Sequence, residues 1–288
     1  MIRWHAAVAA ALLAGCAGGS TTNDGTAPQP EPGKPGAPTT TPANPGLTYR
    51  PAPAAAYRLE RHDSLELQYP GGAVQQQVRD RIAFVHVTVG GTDGATSYPV
   101  TIVVDSLQAW ENGQPVDSAG AMRGTRFTAM LNPDGQLSPL QADRGGTLSD
   151  ELIGRLRALF PRLPPNGVRE GMEWSDSSEY KLVADAFPVT EKQTTTYHAA
   201  EGAGSKSRIT LESTGTYTRA GTRQQADQSL EMTATGTRHW VLQLGSDGSI
   251  ISAQGNDNGD MTITVPSVGQ TVPVKQTGSY TIAPVAGS

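Results

Sequence analysis

The sequence predicts a mainly β fold: a strongly curved antiparallel sheet or open barrel, built from two similar halves, with one central helix packed on its concave face. Segments of alternating apolar and polar residues, separated by turn signals, lie both before residue 147 and after residue 173. Between them lies the one stretch with clear helical periodicity. Residues 126–140 and 239–253 share a strand, a residue-Asp-Gly turn and a second strand, which indicates the two halves.

The central helix is predicted over residues 148–160. Its apolar residues recur at spacings of three and four and form one stripe, made of Leu148, Leu152, Ile153, Leu156, Leu159 and Phe160. Thr147 with Asp150, or Ser149 alone, supplies an N-terminal cap, and Pro161 ends the helix. The stripe predicts that the helix packs against the apolar face of the sheet.

The N-terminus has the pattern of an export signal. Arg3 and the apolar residues 6–15 form a segment too short to span a bilayer, and it ends in Leu13-Ala14-Gly15-Cys16. This ending resembles the lipobox of bacterial lipoproteins, although a plain secretory signal with an incidental cysteine is the alternative. The resemblance implies that residues 1–15 are removed and that Cys16 is lipidated and anchors the chain to a membrane. Because Ala17 rather than an aspartate follows, it also implies the outer membrane, with the protein facing the periplasm.

The chain that follows divides into a tether and a folded body. Residues 16–56 are rich in Gly, Pro, Thr and Ala with almost no large apolar residue, which predicts a disordered tether of polyproline II character. The β-rich domain is predicted over residues 57–288, with halves at about 57–146 and 174–288.

Composition excludes several classes of partner and cofactor. The formal charge of −5 and an aromatic content of 6% argue against a nucleic-acid partner. The single cysteine excludes an intramolecular disulfide and a cysteine-rich zinc site. The four histidines outside the predicted signal peptide lie on separate segments without metal-ligand spacing, and they are His62, His86, His198 and His239. We therefore predict neither a metal nor a cofactor.

Three local patterns invite a chemical interpretation. Ser178 and Lys181 match the S-x-x-K of penicillin-binding enzymes, but a strand would point them to opposite faces. The oxygen-rich residues 256–260 could suggest calcium, yet Asn258-Gly259 favours a hairpin turn. An acidic cluster around Trp174 is interpreted as a solvated strand edge, and it comprises Glu170, Glu173, Asp176 and Glu179. None of these patterns amounts to a catalytic constellation, and no catalytic residue is predicted.

The candidate ligand site rests on a row of glycines. Gly215, Gly236 and Gly278 each follow a threonine in mid-strand, on the apolar face of their strands. The row has two interpretations: it bends the sheet, or it leaves room for an apolar ligand between sheet and helix. On the second interpretation the candidate binding residues are Leu152, Leu156, Leu211, Gly215, Leu230, Met232, Ala234, Gly236, Trp240 and Gly278.

A short motif after the helix carries a further resemblance. It is Pro…Gly-Val-x-x-Gly-x-x-Trp, formed by Pro164, Gly167, Val168, Gly171 and Trp174. With the lipobox and tether, it resembles an uncharacterised family of bacterial lipoproteins of unknown function. The expected architecture is also similar to envelope lipoprotein carriers that hold acyl chains, a likeness of fold that does not by itself imply function.

These observations give three hypotheses in order of preference. The first is a membrane-anchored, non-enzymatic protein that binds a lipid or another apolar molecule in a concave β cavity. The second is an envelope scaffold with a filled core, which contacts a partner protein through the acidic cluster or an exposed sheet edge. The third is an enzyme of unrecognised type.

Overall fold

The computed structural model of the protein describes residues 46–69, 71–200, 208–225 and 228–285. Within these ranges the chain forms one antiparallel sheet of twelve strands and one α-helix, which confirms the predicted mainly β fold. The elements are β1 (Ala52–Gln68), β2 (Val74–Val89), β3 (Tyr98–Glu111), β4 (Gln114–Pro115), β5 (Arg126–Leu131), β6 (Gln141–Ala142), α1 (Thr147–Leu156), β7 (Glu173–Ala184), β8 (Phe187–Ala199), β9 (Arg208–Gln225), β10 (Gln228–Gly245), β11 (Ile250–Val265) and β12 (Gln270–Pro284).

The strand order explains how two halves make one sheet. The order is β6-β5-β3-β2-β1-β12-β11-β10-β9-β8-β7, with β4 paired to β3. Each half is an antiparallel meander, and the two meanders join where β1 pairs with β12, from Tyr57 opposite Pro284 to Leu67 opposite Val274. The edges β6 and β7 do not pair with each other in the described structure, so the sheet is not closed into a barrel.

Alternation along the strands defines an inner face with two apolar clusters. On β1, Leu59 and Leu65 point inward and are buried, whereas Arg58, next to Leu59 on the opposite face, is exposed. Leu59 belongs to a large cluster that includes residues of β1, β2, β3, β5, α1 and β10. Leu65 belongs to a smaller cluster with Phe187 and others near the opposite ends of the same strands. The middle of the inner face, between these clusters, is where polar residues are buried.

The single helix packs its predicted stripe into the large cluster. Leu152 and Leu156 are buried there, and a 3₁₀ turn over Arg157–Leu159 continues the stripe. The predicted cap is wrong: Gly146 precedes the helix, and the Ser149 hydroxyl donates to the Gly146 carbonyl at 2.7 Å instead of accepting from a helix amide. In the described part of the chain, no helix is both long and apolar enough to cross a membrane.

The body begins earlier than the predicted residue 57. Residues 46–50, which we call the strap, cross the large cluster before β1 starts at Ala52. Leu47 and Val168 exchange backbone hydrogen bonds of 2.8 and 2.9 Å. The Tyr49 ring is 3% exposed, and its hydroxyl donates to the Pro161 carbonyl at 3.0 Å. Leu47 and Tyr49 therefore pack this end of the predicted tether against the large cluster. Residues 1–45, including the predicted signal peptide and Cys16, lie outside the described residues.

The motif after the helix holds the strap and the start of β7. Gly167 has a φ of +75° and lies against the Gly46 backbone, where a Cβ on either glycine would be 2.5 Å from the other residue. Trp174 stacks on Tyr197 at a centroid distance of 5.2 Å, and its indole N–H donates to the Arg162 carbonyl at 3.0 Å. The motif residues therefore have a structural role in this fold.

The predicted hairpin turn at Asn258-Gly259 is wrong. Both residues lie inside the continuous strand β11, where Gly259 is opposite Gly236 of β10 and Gln276 of β12. Gly259 has no positive φ, because its backbone follows the ladder. It is needed for another reason: a Cβ there would lie 2.4 Å from the Tyr217 hydroxyl oxygen. The sequence signal of a tight turn thus marks a close packing site in mid-strand.

Candidate functional site

A cavity of about 870 Å³ lies between α1 and the inner face of the sheet. Strands β1, β2, β7, β8, β9, β10 and β12 contribute to its wall. Its apolar wall includes Leu59, Phe160, Trp240 and Leu242. A volume of this size falls in the range of about 300–1,000 Å³ typical of small-molecule sites. The fold therefore leaves a space of ligand size between α1 and the sheet.

The middle of the inner face carries buried charges rather than apolar side chains. We call this group the charged belt, and its members are Arg61, Asp63, Glu191, Arg219, Arg238 and Asp257. All occupy inward positions of their strands between the two apolar clusters. Charges are buried in proteins only when they are paired and hydrogen-bonded, so the partners of each member decide what the belt can do.

One part of the belt is centred on Glu191. Its carboxylate accepts from Arg219 Nε at 2.7 Å and from two Arg238 nitrogens at 2.7 and 2.8 Å. Burial by itself would raise the pKa of Glu191, but the two guanidinium groups lower it to about 2. The Tyr217 ring lies below both cations, with centroid distances of 4.6 Å to Arg219 and 4.4 Å to Arg238. The charges of this cluster are therefore paired within the protein, whereas the Tyr217 hydroxyl has no hydrogen-bond partner in the described structure.

A second part of the belt is centred on Arg61. Its Nε is 2.5 Å from Asp63 Oδ2, and its guanidinium lies 4.3 Å from the centroid of the Tyr280 ring. The Tyr280 hydroxyl donates to Asp257 Oδ2 at 2.6 Å, while Asp257 Oδ2 is 3.7 Å from an Arg61 nitrogen. Burial raises the pKa of Tyr280 above its usual value, so the phenol keeps its proton for that bond. Arg61 is therefore held by two carboxylates.

Arg155 on α1 is different from the belt cations. It lines the cavity but forms no hydrogen bond or ion pair with the residues that the structure describes. Burial is the main reason that its pKa is lowered to about 10, and nearby Arg61 and Arg81 act in the same direction. Glu151, one turn earlier on the helix, also lines the cavity, and burial raises the pKa of its carboxyl. Arg155 is thus a partly buried cation with a weak counter-charge.

Two of the three glycines in the predicted row face filled space. A Cβ on Gly236 would lie 2.5 Å from the Tyr217 ring, and one on Gly278 would lie 2.1 Å from Asp257 Oδ1. At Gly215 the nearest atom is the Thr195 hydroxyl oxygen, at 2.9 Å. At Gly236 and Gly278 the space left by the missing side chain is therefore filled by Tyr217 and Asp257, whereas Gly215 lines the cavity.

The other predicted binding residues separate into three groups. Gly215 and Trp240 line the cavity. Leu152, Leu156 and Leu211 are buried in the large apolar cluster. The predicted residues at the start of β10, namely Leu230, Met232 and Ala234, pack in the smaller apolar cluster. The cavity thus lies next to the predicted surface but is bounded mostly by residues that sequence reasoning did not select.

The sequence pattern does mark some of the cavity residues that were not predicted. Arg238 has the same strand parity as Gly236 and Trp240, and Arg61 and Asp63 fall between the inward leucines of β1. A charged residue on the apolar parity of a strand is unusual, because unpaired burial is costly. Partners for such charges were available on other inward positions, but only the fold shows that they meet.

The remaining sequence patterns are resolved by strand geometry. Asp176 points inward and lies 3.6 Å from Arg162, whereas Glu173 and Glu179 of the acidic cluster are exposed. Ser178 is on the inner face of β7, and Lys181 is exposed on the opposite parity. The described residues hold no group of three or more His, Cys, Asp or Glu side chains placed to bind a metal ion.

Comparisons with known proteins add little to this picture. No family model and no curated protein matches the chain. Among solved structures, DynF from the dynemicin biosynthesis pathway of Micromonospora chersina is 9% identical with a TM-score of 0.23, over 85% of this chain and 86% of that one. OccK11 (OpdR) of Pseudomonas aeruginosa is 8% identical with a TM-score of 0.25, over 84% and 98%. OccK2 (OpdF) of the same organism, in complex with glucuronate, is 9% identical with a TM-score of 0.22, over 81% and 96%. Likenesses this weak carry no argument about function.

Proposed function

We propose that this protein is a lipid-anchored, non-enzymatic binding protein of the bacterial cell envelope, which holds a small amphiphilic molecule between α1 and the sheet. The observation that carries the proposal is the cavity of about 870 Å³, with apolar and charged walls side by side. The proposed anchoring rests on Cys16 in its lipobox-like context. A lipid on Cys16 would hold the body at the outer membrane, where the protein would face the periplasm.

The cavity wall supports an amphiphile over a purely apolar ligand. Inward positions change from apolar to charged or polar within two residues on each of three strands: Leu59 to Arg61 on β1, Trp240 to Arg238 on β10, and Ile282 to the Tyr280 phenol on β12. An apolar tail would be buried against the first residues of these pairs. A polar end would then lie beside the charged side chains of the cavity wall instead of against apolar ones.

Native mass spectrometry tests the proposal. Residues 17–288, which contain every residue that the structure describes, are produced in bacteria and purified without detergent. We expect an added mass that is lost on denaturation and extracted into organic solvent. After extraction, the neutral fluorescent probe N-phenyl-1-naphthylamine should bind with one-to-one saturation.

A folded protein with a bare mass and no probe fluorescence would reject the pocket. That result would favour the scaffold, whose core is filled by its own side chains and whose exposed surfaces contact a partner protein.

A further inference from the structure

We infer that the ligand carries an anionic oxygen head group, a carboxylate or a phosphate, and that Arg155 and Arg81 recognise it at the helix side of the cavity. The inference rests on the proposed function and names the chemistry of its ligand. It starts from the charged residues that line the cavity: nine Lys or Arg, including the exposed Lys181, against seven Asp or Glu, including the exposed Glu179, in a chain with a formal charge of −5.

Most of these cations are already used by the protein. Arg219 and Arg238 share Glu191, Arg61 is held by Asp63, and Arg79 pairs with Asp185 at 2.5 Å. These pairs shape the wall and use most of the donors of these side chains, although the Nε of Arg79 also has no acceptor in the described structure.

Arg155 has that capacity. Its guanidinium presents five N–H donors, and none finds an acceptor among the described residues. The acids whose charge acts on it are Asp63, already bonded to Arg61, and Glu151, whose burial disfavours ionisation. A partly buried guanidinium without acceptors is costly, and an anion from outside the chain would supply them.

Arg81 on β2 provides a second, independent observation. Its side chain is only 5% exposed, and its terminal nitrogens donate to the Trp110 carbonyl at 2.8 Å and to Glu111 at 3.0 Å. Its Nε, however, has no acceptor in the described structure, although the residue lines the cavity. Arg81 and Arg155 act on each other electrostatically, so both cations belong to one region of the wall.

An anion in this region would accept from the free N–H groups of both arginines. Planar guanidinium groups match the paired oxygens of carboxylates and phosphates, which a lysine cannot do. The apolar wall beside Leu59 and Trp240 would then take the rest of an amphiphile.

Calorimetric titration with three matched amphiphiles tests the inference: dodecanoate and dodecyl phosphate below their micelle-forming concentrations, and the neutral dodecanol below its solubility limit. Delipidated residues 17–288 should bind both anions about tenfold or more tightly than the alcohol. R155M should remove this preference and leave the dodecanol affinity within about twofold. R155K should keep part of the preference, because it retains the charge but not the planar fork. The control R58M removes an arginine from the outer face of β1 and should change neither affinity.

The outcomes separate the inference from the proposed function. Equal binding of all three amphiphiles would overturn the anionic head group and leave the pocket intact. Binding of none would reject the pocket itself. A loss of dodecanol affinity in both Arg155 variants, equal to the loss for the anions, would make Arg155 a structural residue. Inorganic phosphate that competes as well as dodecyl phosphate would support the anion site but assign it to a free anion.

Discussion

Replacing Glu191 with glutamine is the sharpest test of the charged belt. The substitution keeps the shape of the side chain but removes the only carboxylate that Arg219 and Arg238 contact at hydrogen-bond distance among the described residues. Arg219 is 6% exposed at its side chain and Glu191 only 3%. Breaking a buried ion pair by removing one partner typically costs about 3–5 kcal/mol, because the remaining charge is left without compensation. We therefore expect E191Q to lower the free energy of unfolding by about 3 kcal/mol or more at pH 7.

The pH dependence gives an independent estimate of the same interaction. The folded-state pKa of Glu191, about 2, lies below its ordinary value of 4.5. Its stabilising contribution is therefore complete above pH 4.5 and is lost as the pH falls towards 2, by about 3 kcal/mol. Urea unfolding followed by circular dichroism between pH 2 and pH 7 should show the gap between wild type and E191Q closing over that interval.

An exposed ion pair on the neighbouring strand provides the control. Glu179 is 61% exposed and lies 3.5 Å from Lys192, so E179Q should change the free energy of unfolding by less than about 0.5 kcal/mol. If E191Q were as mild as E179Q at pH 7, or if its deficit did not change with pH, the central role given to Glu191 would be wrong.

Four further substitutions test other parts of the fold by thermal or urea unfolding. G236A should lower the free energy of unfolding by about 1–3 kcal/mol because its Cβ would meet the Tyr217 ring, whereas G154A in the helix, where a Cβ meets nothing within 4 Å, should raise it by up to about 1 kcal/mol; equal effects would contradict the close packing. Y49F removes one buried hydrogen bond of the strap and should cost about 1 kcal/mol, and a neutral result would show that the strap does not depend on it. R155M should raise the free energy of unfolding of the ligand-free protein by roughly 1–3 kcal/mol, because a folded-state pKa of about 10 means that the fold disfavours the charged form at neutral pH; a loss of stability would show that Arg155 has a partner within the protein.

Alternation and turn chemistry made most of the sheet predictable. The Ser246-Asp247-Gly248 turn falls between β10 and β11 as expected, since Gly248 has a φ of +82°. The turn rule failed at Asn258-Gly259. Gly259 in β11 makes room for the Tyr217 ring of β9, two strands away, but its local sequence is that of a tight turn. The local sequence cannot distinguish a turn glycine from a packing glycine, since the ring comes from a distant part of the chain.

The candidate site was harder to predict because its residues are partners across the sheet. Glu191 is 28 residues from Arg219 and 47 from Arg238 in the chain. Taken alone in the sequence, each of these charged residues looks like a solvent-exposed strand position. Only the strand order β8-β9-β10 brings the three side chains to one place. The position of Arg155 depends similarly on how α1 lies across the inner face, which periodicity does not specify.

The glycine row and the charged belt are parts of one arrangement. Gly236 and Gly259 are opposite each other on β10 and β11, and the Tyr217 side chain lies across both. Gly278 gives the same clearance to Asp257. Large polar side chains can therefore lie against the sheet instead of projecting inwards, which preserves the space below α1. A side chain added at Gly236 would then reduce the cavity indirectly, by lifting Tyr217 and the two arginines above it. Stability and ligand affinity should consequently fall together in G236A, whereas in R155M they should change in opposite directions.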